Sequence, residues 1–418
     1  MTYSRSRTHQ QQKTKRRSKT RLLLIVNGVL LSCIVAVAVI VWKSNDDQDG
    51  QGPAGSLPPT EGVASPSEPS STQLSSPDPE STMEPVDSGT ATPEGGYTEP
   101  VGDAETVSLA LVGDILPAAR VLELMKINGF DYPFREAKAI LEAADITAGN
   151  LEAPITTRGT PAKDKQYVFR GSSDAVPALK EAGFDFLSLA NNHTLDYGWQ
   201  GLSDTMDVLD DAELQHAGSG NDDREAFTPA YIESKGITVG FVSVTRVVPD
   251  VSWKADRTHP GVAEAYSPER TVAAIKEAKQ NADIVVVMVH WGVERADRPV
   301  EHQTDLSHRF VDAGADLVVG SHPHVLQGFE AYKGKWIAYS LGNFVFSTTG
   351  TKTSETGVLN AECSKDGACS LSFAPMFATN SQPAPMAEVE GKALLARLSE
   401  LSYGASVEED GSIVVRNQ

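Results

Sequence analysis

Two histidines follow an apolar run in the C-terminal half of the chain. Residues 318–324 read Val-Val-Gly-Ser-His-Pro-His, so a strand-like segment ends in two imidazoles that flank a proline. Imidazole is the commonest neutral ligand of divalent transition metals, and Pro323 fixes one backbone torsion, so that less ordering entropy is lost on binding. Taken alone, the pattern fits either a metal site or a polar turn with two surface histidines.

Four other apolar runs of the chain also end in acidic, amide or imidazole side chains. When helices cover the faces of a sheet, the loops at the carboxyl ends of its strands converge on one crevice. Residues far apart in the sequence can therefore share one site, and four of the nine histidines lie at such strand ends. The strand-end residues with ligand chemistry are Asp114, Asn150, Glu152, Asn191, Asn192, His193, His290, His322 and His324.

Strand-like runs alternate with helical stretches after about residue 105, which predicts an α/β fold. Residues 173–190 show the pattern, with a helix, a stop at Gly183 and then a buried strand. The sequence also predicts a distinct tail from about residue 356, with a hairpin and a helix near residues 391–401. Helices are expected at residues 132–143, 173–181, 201–211, 268–280 and 304–312.

The order of these motifs resembles the calcineurin-like metallophosphoesterases and, more closely, the bacterial capsule-synthesis protein CapA (PgsA) family of poly-γ-glutamate biosynthesis. The resemblance covers about residues 107–403. It implies a metallophosphoesterase-like four-layer α/β/β/α sandwich, with two sheets packed face to face and helices outside. The motifs that carry it are Gly113-Asp114, Asn150-Leu151-Glu152, residues 190–198, residues 290–294, residues 320–325 and residues 339–344.

The resemblance also implies a role for each site residue. One or two divalent ions of the Mn, Fe or Zn class are expected, because carboxylate and imidazole together suit these metals better than Mg or Ca. His193 is expected to protonate a leaving group, and Asp196 to orient its ring. Glu152, or alternatively Asn150, stands where a bridging carboxylate is expected. The predicted metal ligands are Asp114, Glu152, Asn192, His290, His322 and His324, and the predicted substrate-binding residues are Asn150, Asn191, Glu294, Asn343 and Arg170.

Two positions depart from the phosphoesterase pattern. Those enzymes usually carry a histidine two positions after the first aspartate, and here that position is Leu116, which cannot bind metal. Their second motif usually has aspartate after glycine, whereas here Asn150 follows Gly149 and the acid is displaced to Glu152. The first metal position is therefore depleted, so a mononuclear site or an altered chemistry stays open beside two-metal hydrolysis.

The first hundred residues predict a membrane anchor and a stalk. Residues 1–21 carry eight basic side chains and no acidic one, and residues 22–42 carry no charge. A helix of that length spans about 30 Å, the hydrocarbon thickness of a bilayer. A cleaved signal peptide is the alternative, although no small-x-small cleavage pattern follows. By the positive-inside rule we expect a cytoplasmic tail at 1–21, one transmembrane helix at 22–42 and an extracytoplasmic chain thereafter.

Residues 43–105 are rich in Pro, Ser, Thr and acidic residues, which predicts a disordered extracytoplasmic stalk before a domain at 106–418. The formal net charge of −20 argues against a nucleic-acid partner. Scattered cations on such a domain are commonly solvated, although some could bind a polyanion. These cations are Arg158, Lys163, Lys165, Arg170 and Arg246.

Cysteine usage agrees with an exported domain. Cys33 lies in the expected membrane span, while Cys363 and Cys369 flank an Asp-Gly turn signal. A disulfide across that turn is favoured over a zinc site, because the spacing is poor for zinc and no histidine is near in sequence.

Two classes of function stay open at this stage. In the first, the protein is a surface-anchored metal-dependent hydrolase acting on a phosphoester or on an amide of an anionic polymer, and a generic cell-envelope phosphoesterase belongs to this class. In the second, it is a non-catalytic partner of a membrane synthase that makes or exports poly-γ-glutamate. The resemblance implies capsule polymer synthesis for either class, and turnover separates them.

Overall fold

The first sheet is built around a strand that is apolar on both faces. The computed structural model describes residues 105–416, in which β1 (Thr106–Ile115) is an interior strand. Leu109 and Leu111 pack into one hydrophobic core, whereas Ala110 and Val112 pack into another. A strand that is covered on both faces needs apolar residues at successive positions. This requirement explains the continuous apolar run at residues 109–112.

Nine more strands complete the first sheet. They are β2 (Ile146–Leu151), β3 (Phe184–Ser188), β4 (Gln215–Ala217), β13 (Asn343–Val345), β14 (Glu355–Ser364), β15 (Cys369–Thr379), β16 (Gln382–Pro385), β17 (Ala405–Val407) and β18 (Ser412–Val415). Their order is β17-β18-β15-β14-β1-β2-β3-β4, with β13 beside β1 and β16 beside β15. Strands β1 to β4 are parallel, so their carboxyl ends lie at one edge of the sheet.

The second sheet has six strands in the order β11-β12-β10-β9-β7-β6. They are β6 (Ala230–Ser234), β7 (Ile237–Thr245), β9 (Ile284–His290), β10 (Leu317–Ser321), β11 (Phe329–Tyr332) and β12 (Lys335–Ala338). The four inner strands are parallel, and the two edge strands are antiparallel to their neighbours. A separate two-stranded ladder joins β5 (Ser219–Gly220) to β8 (Gly261–Val262).

The helices connect these strands. They are α1 (Ala119–Asn128), α2 (Lys138–Leu141), α3 (Val176–Glu181), α4 (Gly198–Asp211), α5 (Asp223–Ala226), α6 (Pro268–Asn281), α7 (Glu301–Ala313), α8 (Thr351–Ser354) and α9 (Glu388–Leu401). Short 3-10 turns lie at Tyr132–Phe134, Ser173–Ala175 and Val251–Trp253. Five of the six expected helices are present, including the one near residues 391–401. The one expected at 132–143 is broken into the turn at Tyr132–Phe134 and α2, and the backbone between them closes tighter turns such as Ala137 N–H to the Phe134 carbonyl.

Three hydrophobic cores separate four layers. The central core lies between the sheets, where the Phe186 ring of β3 stacks on the Phe241 ring of β7 with centroids 4.3 Å apart. A second core packs α1, α3 and α4 on the outer face of the first sheet, and a third packs α6 and α7 on the outer face of the second. The four-layer α/β/β/α arrangement implied by the resemblance is therefore present in the described residues.

The C-terminal segment is part of the first sheet, so the prediction of a distinct tail is wrong. Strand β14 pairs along β1 from Thr106 opposite Ser364 to Leu111 opposite Leu359. The physical reason is that β1 would otherwise expose a row of unpaired backbone groups. The predicted hairpin is confirmed, since β14 and β15 pair with Cys363 opposite Cys369 and these two cysteines form a disulfide.

The expected basic tail, membrane helix and Cys33 lie outside the described residues, as does the expected stalk up to residue 104. Between residues 105 and 416, no helix has the length and apolar character needed to span a bilayer.

Candidate metal centre

The candidate site lies where the carboxyl ends of the parallel strands of the two sheets meet. The first sheet supplies carboxylates and amides, because Asp114 ends β1, Glu152 follows β2, and residues 191–193 follow β3. The second sheet supplies imidazoles, because His290 ends β9 and two more histidines follow β10. Ladder pairing fixes the register on each side, with Asp114 opposite Asn150 and His290 opposite Ser321.

Five side chains form what we term the ligand cluster: Asp114, Glu152, His290, His322 and His324. Glu152 offers an oxygen within 4.8 Å of ligand nitrogens on His290 and His322, and a second triplet joins Glu152 to Asp114 and His324 within the same distance. Both triplets share Glu152, so this carboxylate has the position of a bridging ligand. All members are buried except His324, which is partly exposed.

The polar atoms of the cluster fit a divalent cation. Both carboxylate oxygens of Glu152 are buried without a hydrogen-bond partner, and so is Nδ1 of His322. A buried carboxylate without a partner is strongly destabilising, whereas a bound cation would satisfy it. Mixed carboxylate and imidazole ligation suits Mn, Fe or Zn. These residues could therefore hold one ion, or two ions bridged by Glu152.

Neighbouring side chains orient two of the imidazoles. Nδ1 of His290 lies 2.9 Å from Oγ of Ser321, and Nε2 lies 2.9 Å from Oδ1 of Asn192. Nδ1 of His324 lies 2.9 Å from Oδ1 of Asn343, which directs Nε2 towards Glu152, with 3.9 Å between Nε2 and Oε1. In His324 the contact to Nδ1 leaves Nε2 as the nitrogen that can bind metal, whereas both nitrogens of His290 have a protein partner.

The turn that carries the last two histidines has an unusual backbone. His322 has a φ of 95° and His324 a φ of 57°, both in the left-handed region that side chains other than glycine rarely adopt. Each such residue costs on the order of 1–3 kcal/mol and persists only where the surroundings hold it. Asp114 Oδ2 accepts the His322 N–H at 3.3 Å, and the Pro323 carbonyl accepts the Arg295 N–H at 2.7 Å. Strain held this way is typical of functional loops.

The charge states of two of the three cluster imidazoles favour metal binding. Burial, together with the neighbouring imidazoles, lowers the pKa of His290 well below its usual range and that of His322 to about 3. Both rings are therefore neutral near pH 7, which is the form that binds metal. Burial also lowers the pKa of His324, but the Glu152 and Asp114 carboxylates outweigh it and raise the value to about 10.

Glu152 and His324 compete for one proton in the metal-free chain. Burial raises the pKa of Glu152 well above its usual range, and Asp114 adds to this effect. The pKa of His324 is raised only while Glu152 is charged. The raised pKa of His324 and the raised pKa of Glu152 therefore describe two alternative positions of one proton. We place it on His324, because two carboxylates face that ring. A divalent cation would take over this proton's electrostatic role.

A second group, which we term the His193 triad, consists of Lys165, His193 and Asp196. His193 Nδ1 lies 2.7 Å from Oδ2 of Asp196. Burial lowers the pKa of His193, although Asp196 opposes the effect. The sequence singles out Lys165 only as one of five scattered cations that could bind a polyanion. Its sequence neighbourhood gives no signal, because Lys163 on the same loop is exposed while Lys165 is largely buried.

Three predicted substrate-binding amides use their polar atoms within the protein. Asn150 Nδ2 donates to Oδ1 of Asp114 at 2.8 Å, and Asn191 Nδ2 donates to Oδ1 of Asn150 at 3.1 Å. Asn191 also accepts the His193 N–H at 3.0 Å, and Asn343 holds His324 as described above. The structure therefore places all three where they position ligands.

The other two predicted substrate-binding residues do not join the cluster. Arg170 is exposed, and its guanidinium lies 4.7 Å from the centre of the Tyr197 ring. Glu294 is exposed and has no ion-pair partner among residues 105–416.

An apolar wall occupies the position of the missing phosphoesterase histidine. Leu116 is buried with Ala118 and Ala153, and the rings of Phe169 and Phe346 pack against them. Phe169 lies 4.6 Å from the His193 ring, and Phe346 lies 4.9 Å from the His324 ring, measured between centroids. This side of the crevice offers apolar contact in place of a further ligand.

Comparisons with known proteins agree with the motif pattern. A family model described as "Bacterial capsule synthesis protein PGA_cap" matches residues 108–348. The PGA biosynthesis protein CapA of Bacillus subtilis (strain 168) is 35% identical over 316 residues, which are 74% of this chain and 82% of that protein. The capsule biosynthesis protein CapA of Bacillus anthracis is 35% identical over 289 residues, 68% of this chain and 70% of that protein.

A relative from Mycobacterium tuberculosis is named "Probable polyglutamine synthesis accessory protein". It is 35% identical over 225 residues, which are 51% of this chain and 59% of that protein.

Proposed function

The chain belongs to the bacterial capsule synthesis protein family PGA_cap, and from that premise we propose that it is a metal-dependent, phosphoesterase-like protein of capsule poly-γ-glutamate biosynthesis or export. The observation that carries the proposal is the carboxylate of Glu152. It is fully buried, both oxygens lack hydrogen-bond partners, and imidazoles of the second sheet face it. A purely structural polar cluster would satisfy such a group internally.

Each residue of the crevice then has a part in hydrolysis. A bound divalent ion would supply Lewis acidity and a polarised water. Asp114, Glu152, His290, His322 and His324 would hold it, with the Asn192 amide oxygen as a further ligand. His193 stands beside this cluster with Nδ1 engaged by Asp196, and Nε2 has no hydrogen-bond partner within residues 105–416. Nε2 is therefore the atom positioned to exchange a proton with a substrate.

Family membership supports the proposed link to polyglutamate synthesis. The relative named as an accessory protein supports a role beside a membrane polyglutamate synthase. The substrate in this proposal is a phosphoester, or an amide of the anionic polymer. The apolar wall around Leu116 favours one ion over two, because it replaces a ligand of the two-metal phosphoesterase pattern.

We further propose that the chain crosses the cell membrane once and carries residues 106–418 outside the cytoplasm. The charge-free segment at 22–42 and the eight basic side chains before it support this orientation. Protease added to intact cells is expected to remove the C-terminal domain and to leave the basic N-terminus protected. A C-terminus that stays protected in intact cells would overturn the orientation.

The central test compares Glu152→Gln with Glu294→Gln in the purified full chain. Both variants lose one carboxylate, but only Glu152 is buried in the ligand cluster, whereas Glu294 is exposed. We expect wild type and Glu294→Gln to bind Mn, Fe or Zn, and Glu152→Gln to lose at least about tenfold in affinity. Binding is measured by elemental analysis and by calorimetric titration of chelator-treated protein.

Turnover and surface polymer then separate the two classes of function. Hydrolysis of bis(4-nitrophenyl) phosphate and the amount of surface polyglutamate in cells are expected to fall together in Glu152→Gln. A wild-type chain that takes up no metal would overturn the site. If wild type takes up metal but cells with Glu152→Gln make an unchanged amount of surface polyglutamate, the chain is a non-catalytic partner.

A further inference from the structure

Lys165 is a largely buried lysine that no feature of the sequence or the family comparison assigns to the site. It lies in the loop between β2 and α3, with its side chain 13% exposed. Nζ donates to the Asn192 carbonyl at 2.6 Å and to Oδ1 of Asp196, and lies 2.9 Å from Nδ1 of His193. Burying an ammonium group is costly, so a lysine in this position needs several compensating contacts.

Asp196 is the centre of these contacts. It is fully buried, and Oδ2 accepts the Phe169 N–H at 2.6 Å and faces His193 Nδ1 at 2.7 Å. The Asp196 backbone carbonyl accepts the Ala162 N–H at 2.8 Å. The backbone N–H groups of Ala162 and Phe169 thus attach the loop between β2 and α3 to Asp196 at two points. The side chain of Lys165 attaches the same loop at a third point.

The contacts explain why a lysine suits this position. Nζ lies within hydrogen-bond distance of Asp196 Oδ1 and of His193 Nδ1, and Asp196 Oδ2 lies 2.7 Å from the same Nδ1. Lys165 and Asp196 together therefore hold this nitrogen of the His193 ring. The polar donors of Lys165 are directed at protein atoms, and its other neighbour is the Trp253 ring, 5.1 Å from Nζ. Its position therefore suits holding the triad and not binding substrate directly.

We propose that Lys165 is a positioning residue for His193. It balances the charge of Asp196 and thereby fixes the His193 ring with Nδ1 towards Asp196 and Nε2 towards the crevice. The consequence for turnover rests on the proposed function, whereas the consequence for the ring does not. Lys165 would thus control how His193 is presented without contacting the substrate.

The loop itself supplies a matched control. Lys163 lies two residues before Lys165, carries the same charge and is exposed. Lys165→Met, Lys165→Arg and Lys163→Met are made in the full chain. We expect Lys165→Met to lower kcat on bis(4-nitrophenyl) phosphate by about tenfold to a hundredfold, with KM and metal content within about twofold of wild type. Lys165→Arg should recover most of the loss, and Lys163→Met should match wild type.

A spectroscopic measurement tests the ring independently of turnover. Nitrogen-15 NMR of histidine-labelled protein reports which ring nitrogen carries the proton, and the His193 signal is identified by its absence in His193→Gln. We expect wild type and Lys163→Met to show one and the same His193 ring form, because the same contacts hold Nδ1 in both proteins. Lys165→Met should lose this single form.

The outcomes distinguish this inference from the proposed function. If wild type hydrolyses no phosphodiester with any metal tested, the proposed hydrolysis fails and the NMR comparison alone decides the role of Lys165. An unchanged His193 signal in Lys165→Met would overturn the inference. So would a loss of metal in Lys165→Met, because Lys165 would then act through the ligand cluster.

Discussion

The ligand cluster and the His193 triad line the same crevice, yet they differ in how far the protein satisfies them. In the cluster, both oxygens of Glu152 and Nδ1 of His322 lack partners. In the triad, Asp196 accepts from Lys165, from the Phe169 N–H and from His193. Both are buried, so burial alone does not explain the difference. In the proposed function a cation completes the cluster, whereas the triad is satisfied by the chain's own residues.

This difference separates binding from positioning. The buried groups of the ligand cluster carry a desolvation cost when no cation is bound. The left-handed φ values of His322 and His324 add backbone strain to the same cluster. The triad carries its own counter-charge in Lys165 and is therefore expected to keep its geometry with or without metal. Substitutions in the ligand cluster should therefore lower metal content, whereas substitutions in the His193 triad should lower turnover at normal metal content.

The largest expected effect comes from comparing His193→Ala with His322→Ala. His193→Ala should keep near-normal metal content and lower turnover by about a hundredfold or more, because a positioned proton donor or acceptor typically contributes 10² to 10⁴. His322→Ala should lose metal first and activity as a result, so excess metal should restore part of its activity. Metal content and kcat measured on the same preparations check both statements.

The comparison breaks if the two variants behave alike. Loss of metal in His193→Ala would mean that His193 is itself a ligand and that the division into two groups is incorrect. Full activity in His193→Ala at normal metal content would remove His193 from the chemistry.

The sequence predicts much of the fold because its signals are local. The apolar run at 109–112 identifies a strand covered on both faces, and Gly183 ends a helix before the next buried strand. The pairing of β14 with β1 is different, since it joins residues some 250 positions apart, such as Thr106 and Ser364. No local pattern selects that pairing over a separate tail.

The ligand types of the site were predictable, but their supporting contacts were not. Asp114, His290 and His322 are recognisable because each follows an apolar strand. Lys165 lies in a polar loop, and its burial depends on where residues 159–171 run relative to Asp196. Asn150 and Asn191 illustrate the same point, because sequence reasoning directs them to substrate whereas hydrogen bonding directs them to each other.

The smallest expected effect is a pH dependence of stability in chelator-treated protein. The pKa of His322 falls from 6.5 to about 3 on folding, so its neutral form stabilises the fold above pH 6.5 and this stability is lost as the pH falls towards 3. The pKa of His324 rises from 6.5 to about 10, so its contribution is complete below pH 6.5 and is lost as the pH rises towards 10. The two histidines therefore oppose each other on either side of pH 6.5.

The other buried histidine of the cluster extends the acid limb of this profile, because the lowered pKa of His290 adds to the loss of stability in acid. We expect the stability of the metal-free domain to peak near pH 6.5, with each group contributing a slope of at most about 1.4 kcal/mol per pH unit.

Urea unfolding of wild type, His322→Asn and His324→Asn across this pH range measures the free energy of unfolding. His322→Asn should flatten the acid limb of the profile, and His324→Asn should flatten the alkaline limb. Saturating metal should shift the pH of maximum stability of wild type upward, because a bound cation favours neutral imidazoles and charged carboxylates. If chelated wild type keeps its stability unchanged from pH 4 to 9, the ligand cluster does not carry the unsatisfied charges that distinguish it from the triad.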